Sequence, residues 1–131
     1  METNKTNSFT SASTIFSSAS IFLFRKGIVL FNKGNIHEAH LTWEKIWKKG
    51  DNKERKNIKG FIQLSGAFLN YSSGKNQSGE YLLLKAKNNI QKAKCLPLNV
   101  DSHSVIDQID KYLTAIQQGV FCPKSISIII E

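Results

Sequence analysis

Two imidazoles and a carboxylate stand close together in the segment FNKGNIHEAHLTWEKIW, residues 31–47. On a helix that turns about 100° per residue, His37, His40 and Glu44 fall within one arc of about 60°. Trp43 and Trp47 lie on the side nearer His40. Imidazole combined with carboxylate suits Zn²⁺, Mn²⁺ or Fe²⁺. One reading is therefore a divalent transition-metal site on His37, His40 and Glu44, which would make the protein a metal-assisted enzyme, of the hydrolytic kind, working through His40 and Glu44. The other reading is structural. His40 and Glu44, at i and i+4, can hydrogen-bond to each other. Buried imidazoles are usually satisfied by protein partners, and no second helix offers an obvious fourth ligand. His37-Glu38-Ala39-His40 misses the HExxH spacing by one residue, which excludes the zinc-protease arrangement. The structural reading is favoured, with no cofactor; the metal is the alternative.

Helices must position these groups. Ile21, Phe24, Ile28 and Phe31 recur at steps of three and four, predicting a first helix over 15–31 that stops at Asn32-Lys33-Gly34. Asn35 opens a second helix, and Glu38 three residues later has the spacing of a capping box. Its apolar face carries Ile36, Ala39, Trp43, Ile46 and Trp47, and Lys48-Lys49-Gly50 ends it. A third helix is expected over 53–73, with Ile58, Phe61, Ile62, Ser65, Phe68 and Leu69 on its main face. Gly60, Ser65, Gly66 and Ala67 are small enough for a neighbouring helix to approach closely. A fourth is expected over 77–95, ended by Pro97. A fifth is expected over 102–118, with Ser104 and Asp107 as a second capping box and Gly119 as its stop.

The fold class this predicts is all-α: a single compact helical bundle of about five helices. A chain of 131 residues makes one domain and can bury roughly two-thirds of its unfolded surface without a disulfide or metal. The bundle is expected over 19–119. Residues 1–18 read as a disordered tail and 120–131 as a C-terminal tail. The apolar end of that tail, 126–130, either packs on the bundle or pairs with a second chain, leaving a homodimer open.

A net charge of +8 favours anionic partners. Only Arg25 and Arg55 among the eighteen basic residues are Arg, and Arg is the residue that grips phosphates and bases bidentately. Nucleic acid is thus a weakly supported partner. Lys45, Lys48, Lys49, Lys53, Lys56 and Lys59 cluster around the second loop. The apolar run 21–31 is interrupted by Arg25, Lys26 and Gly27 and falls short of the roughly 20 residues a membrane span needs, so no membrane is expected. The Ser/Thr-rich start has one acid, Glu2, as organelle transit peptides do, but lacks their arginines. A cytoplasmic location is preferred, with plastid as the alternative. Cys95 and Cys122 form no CxxC pair and read as reduced, inert thiols.

Residues 31–47 also resemble the signature of the bacterial and plastid domain of unknown function 309 family, approximately F-N-x-G-x-F-x-E-A-H-E-x-L-E-x-x-W. Phe31, Asn32, Gly34, Glu38, Ala39, His40, Glu44 and Trp47 match it. The family's later Arg, its G-L-I-Q-L helix and its G-N-x-x-G turn find counterparts in Arg55, in Gly60-Phe61-Ile62-Gln63-Leu64, and in 74–79 with one residue inserted. The likeness covers about 27–93. The chain departs from the pattern at His37, Leu41, Lys59 and Asn70. The resemblance implies a helical bundle with no agreed activity, in which His40, Glu44, Trp47 and Gln63 face one another. The candidate polar cluster is therefore Glu38, His40, Glu44, Trp47, Arg55 and Gln63. The expected function is a binding or scaffold module with a protein partner, its cluster serving the bundle's own registry.

Overall fold

The structure, a computed structural model, describes residues 15–120 and 126–131. Among the described residues five helices follow one another: α1 (Ser18–Asn32), α2 (Ile36–Lys49), α3 (Asn52–Ser72), α4 (Asn76–Lys92) and α5 (Ser102–Gln117). Among the described residues the one β feature is an isolated bridge between Val100 and Ile130. The protein is an all-α bundle. Consecutive helices pack on one another, α3 against α4 most extensively, and α5 leans on α4, where Lys87 Nζ pairs with Asp110 Oδ1 at 2.7 Å. Residues 1–14, Cys122 and Pro123 lie outside the described residues.

The same helix-ending device joins α1 to α2 and α3 to α4. Gly34, at φ +89°, donates its N–H to the Phe31 carbonyl, and Asn35 N–H reaches back to Leu30. Gly74, at φ +76°, does the same with Tyr71, and Lys75 with Asn70. Only glycine enters this left-handed region without steric cost. The device also explains a difference from the sequence reading. Asn35 makes no side-chain cap to α2. Its backbone N–H, the group that Glu38 would have bonded in a capping box, is already taken by Leu30.

The true capping box lies one helix later. Asp51 Oδ1 accepts Glu54 N–H at 2.9 Å, and Glu54 Oε1 accepts Asp51 N–H at 3.2 Å. Helix α5 is capped by Asp101, whose Oδ1 accepts Ser104 N–H at 3.0 Å, in place of the expected Ser104–Asp107 pair. Helix α4 ends at Lys92, before 95. Asn57 of α3 supplies Oδ1 to the N–H groups of Lys94 and Cys95, at 3.0 and 3.3 Å, drawing the chain out of the helix well ahead of Pro97.

The core is aromatic at its centre. Trp43 is fully buried among Phe24, Phe31 and Phe61, with ring centroids 6.2, 5.8 and 5.8 Å away. Its indole N–H donates to the Phe24 carbonyl at 3.2 Å. That reach is possible because residue 27 of α1 is glycine: a Cβ there would overlap the indole nitrogen. The core also takes in Phe16, Ile126 and Ile128, which lie outside 19–119. At the other end, Tyr71 packs on Phe68 and Tyr112, above Gly79. The Tyr71 hydroxyl is buried with no hydrogen-bond partner. Burial first, then the charges of Tyr112 and Glu80, push its pKa from 10.0 up to about 12.

Two stability predictions follow from these contacts. Gly27→Ala should cost about 1–3 kcal/mol through overpacking, read as a melting point lower by several degrees in thermal denaturation. Tyr71 favours the folded state while neutral, so its contribution is complete below pH 10 and is lost as the pH rises towards 12. In urea titrations across that window, Tyr71→Phe should lose less stability than wild type.

Candidate functional site

His40 sits at the margin of the buried face of α2, against α3. Its Nδ1 lies 2.6 Å from Ser65 Oγ and its Nε2 lies 3.3 Å from Glu44 Oε2. Ser65 is fully buried, and its hydroxyl also reaches the Ile62 carbonyl at 2.8 Å. Ser65 has a single hydroxyl proton. Either it donates that proton to Ile62 and accepts from Nδ1–H, or it donates to Nδ1 and leaves Nε2–H for Glu44. Of the two, only the second gives both nitrogens of a neutral ring a hydrogen bond, one to α3 and one within α2. The His40 and Glu44 side chains retain 20% and 39% exposure, so the pair meets solvent while the serine does not.

A hydroxyl, an imidazole and a carboxylate in series have the composition of a nucleophilic triad. Here the serine is sealed in the core and tied to a backbone carbonyl, so it cannot present its oxygen to a substrate. The arrangement bridges α2 and α3 through His40 and Ser65, with a mostly buried imidazole at the seam. Gly66 follows on α3. A Cβ placed there would lie 3.8 Å from His40 Cε1 and 3.5 Å from Leu82 Cδ1, so side chains of α2 and α4 meet at this half-buried glycine.

The other sequence candidates fall into separate contacts. Arg55, at the start of α3, donates Nε–H to the Trp47 carbonyl at 2.8 Å and carries its guanidinium 5.4 Å from the Trp47 ring centroid. It thereby closes the α2–α3 elbow with a cation–π contact. Gln63 does not join His40 as the resemblance implied. It is turned to α4, where Asn89 Nδ2 donates to its Oε1 at 2.6 Å. The helical period explains this: Gln63 stands two residues, about 200°, from Ser65 on α3. Glu38 and His37 are exposed on the first turn of α2. Among the described residues, no group of three or more His, Cys, Asp or Glu side chains comes together that could hold a metal ion.

The family model for the domain of unknown function DUF309 matches residues 24–82. The matched segment, residues 24–82, is similar to DUF309. It runs from α1 to the first half of α4 and so contains His40, Glu44, Trp47, Arg55, Gln63 and Ser65. No curated protein and no solved structure matches the chain. Within the matched segment, Ser65 is the residue that sequence reasoning missed as a site member. The signal was available, since a hydroxyl on an otherwise apolar helix face needs a buried partner. Asn89, beyond the segment, carried no such signal. Cys95 is free and half-buried, and burial raises its thiol pKa, which disfavours the reactive thiolate.

Removing His40 takes the α2 partner from buried Ser65, which keeps the Ile62 carbonyl, and leaves Glu44 to solvent. His40→Ala should cost about 1–3 kcal/mol. Ser65→Ala should cost a similar amount, and the double variant less than the sum, because the two share one bond. Denaturant titrations of the three variants check this cycle. Added Zn²⁺ or Mn²⁺ should leave the wild-type melting point in place, whereas a specific metal at 100 times its Kd would add about 2.7 kcal/mol.

Proposed function

We propose that the protein is a binding module that engages an acidic segment of a partner protein at the α2–α3 elbow. The observation that carries this reading is a set of unpaired cations. Lys45, Lys48, Lys49, Lys53, Lys56 and Lys59 are all exposed, and none belongs to an ion pair among the described residues. They lie on the last turns of α2 and the first turns of α3, the elbow at which Trp47 sits half-buried under Arg55. An aromatic ring with a guanidinium held over it is the kind of anchor that concentrates binding energy, and the lysines around it supply attraction at longer range.

The chemistry of the cations favours protein over nucleic acid. Ammonium groups act as point charges, without the planar fork that reads bases and clamps phosphates. A cytoplasmic setting fits a free thiol at Cys95. No helix of the described residues is long and apolar enough to cross a membrane, and the exposed charge at the elbow suits a partner met in water. The His40–Ser65–Glu44 contact keeps the two helices of the elbow in register.

Fluorescence anisotropy with a labelled oligoglutamate peptide and a labelled generic RNA tests the proposal. The peptide should bind at low salt and weaken on the order of tenfold as exposed charges are screened. Lys48→Glu/Lys49→Glu/Lys53→Glu should abolish binding while retaining the helical circular dichroism signal. Tighter binding to RNA, with a steep salt dependence, would replace acidic protein with nucleic acid as the partner. Binding to neither would overturn the module.

A further inference from the structure

Residues 126–131 run extended between the end of α1 and the region around the start of α5, held by two side-chain amides. Asn32 Nδ2 donates to the Ile128 carbonyl at 2.8 Å, and Ile128 N–H donates to Asn32 Oδ1 at 2.8 Å. Gln108 treats Ser127 in the same way: its Nε2 donates to the Ser127 carbonyl at 2.8 Å, and Ser127 N–H donates to its Oε1 at 2.9 Å. Each amide offers one donor and one acceptor to the backbone of one residue, as an adjacent antiparallel strand does. The α5 side continues the pattern with backbone groups. Asp101 N–H donates to the Ile129 carbonyl at 2.9 Å and Glu131 N–H to the Asn99 carbonyl at 2.8 Å.

Successive residues of an extended chain turn their backbone groups to opposite edges and their side chains to opposite faces. Residues 127, 129 and 131 are accordingly held on the α5 side, and Ile128 on the α1 side. Ile126 and Ile128 enter the core at 3% and 2% exposure, while Ile129 faces outward at 51%. The seat therefore recognises an extended backbone through hydrogen bonds and an apolar side chain at alternate positions, which is the logic of strand-addition peptide sites.

None of these bonds depends on which chain supplies the segment. We propose that the seat is a receptor for this extended peptide, and that the C-terminal segment of a second copy occupies it in exchange for the resident one, giving a strand-exchanged dimer. A second copy carries the identical ligand, so the exchanged contacts equal those lost, and twofold exchange closes the assembly. The segment is fixed by two amide clamps, a few backbone bonds and two isoleucines, outside the five helices, so it can leave its seat while the bundle stays folded. This inference is independent of the lysine-rich elbow.

Wild-type chain labelled in two separate pools, with donor and with acceptor fluorophore, tests it without any variant that could misfold. Mixed at high micromolar concentration, the pools should develop energy transfer, and excess free peptide ISIIIE should reduce it severalfold. Asn32→Ala/Gln108→Ala should lose the transfer while retaining the helical circular dichroism signal. No transfer at any concentration, or transfer that the peptide does not compete, would overturn the exchange.

Discussion

The indole of Trp43 rests on α1 where Gly27 has no side chain, and its N–H reaches the Phe24 carbonyl. Much of the bundle depends on this contact. It brings α2 close enough to α1 for Trp43 to meet Phe24 and Phe31, and it places the far edge of the ring against Phe61 of α3. Three helices thus share one fully buried side chain. Its single polar atom is satisfied, so the burial carries no unpaired donor.

Seating Trp43 inward also sets the rotation of α2. On a helix of about 100° per residue, His40 then falls some 60° from Trp43, at the rim of the core. There its ring nitrogens meet a buried serine on α3 and a half-exposed carboxylate on α2. One turn further, Trp47 lies under Arg55. The candidate site residues therefore form two contacts on the α2–α3 seam, His40 with Ser65 and Arg55 with Trp47, and a third, Gln63 with Asn89, on the α3–α4 seam. Each joins neighbouring helices through paired donors and acceptors, which sets registry more sharply than apolar packing does, because a shifted register would leave polar groups unsatisfied.

The residues of the run 31–47 read in the same physical terms. Gly34 ends α1 in a conformation that only glycine adopts freely, and the same backbone bonds start α2. Ala39 is fully buried where α2 meets the core. His40, Glu44 and Trp47 continue along the seam. A motif of this kind specifies how a helical hairpin folds on the next helix.

The all-α class and the five helices were legible in the sequence, because apolar residues at steps of three and four report the helical period directly. So were the Gly34 stop, the inward face of Trp43 and the His40–Glu44 pair, each a matter of spacing within one helix. The partners across helices were not. Ser65 for His40, Asn89 for Gln63, and Asn32 and Gln108 for the C-terminal segment lie 25, 26, 96 and 19 residues away, and no local period encodes such distances. The capping of α2 and the end of α4 were likewise decided by groups elsewhere, Leu30 and Asn57. Local sequence determines which face of a helix turns inward. Which polar side chain waits on the other side depends on how the helices pack, and that is settled by the tertiary structure alone.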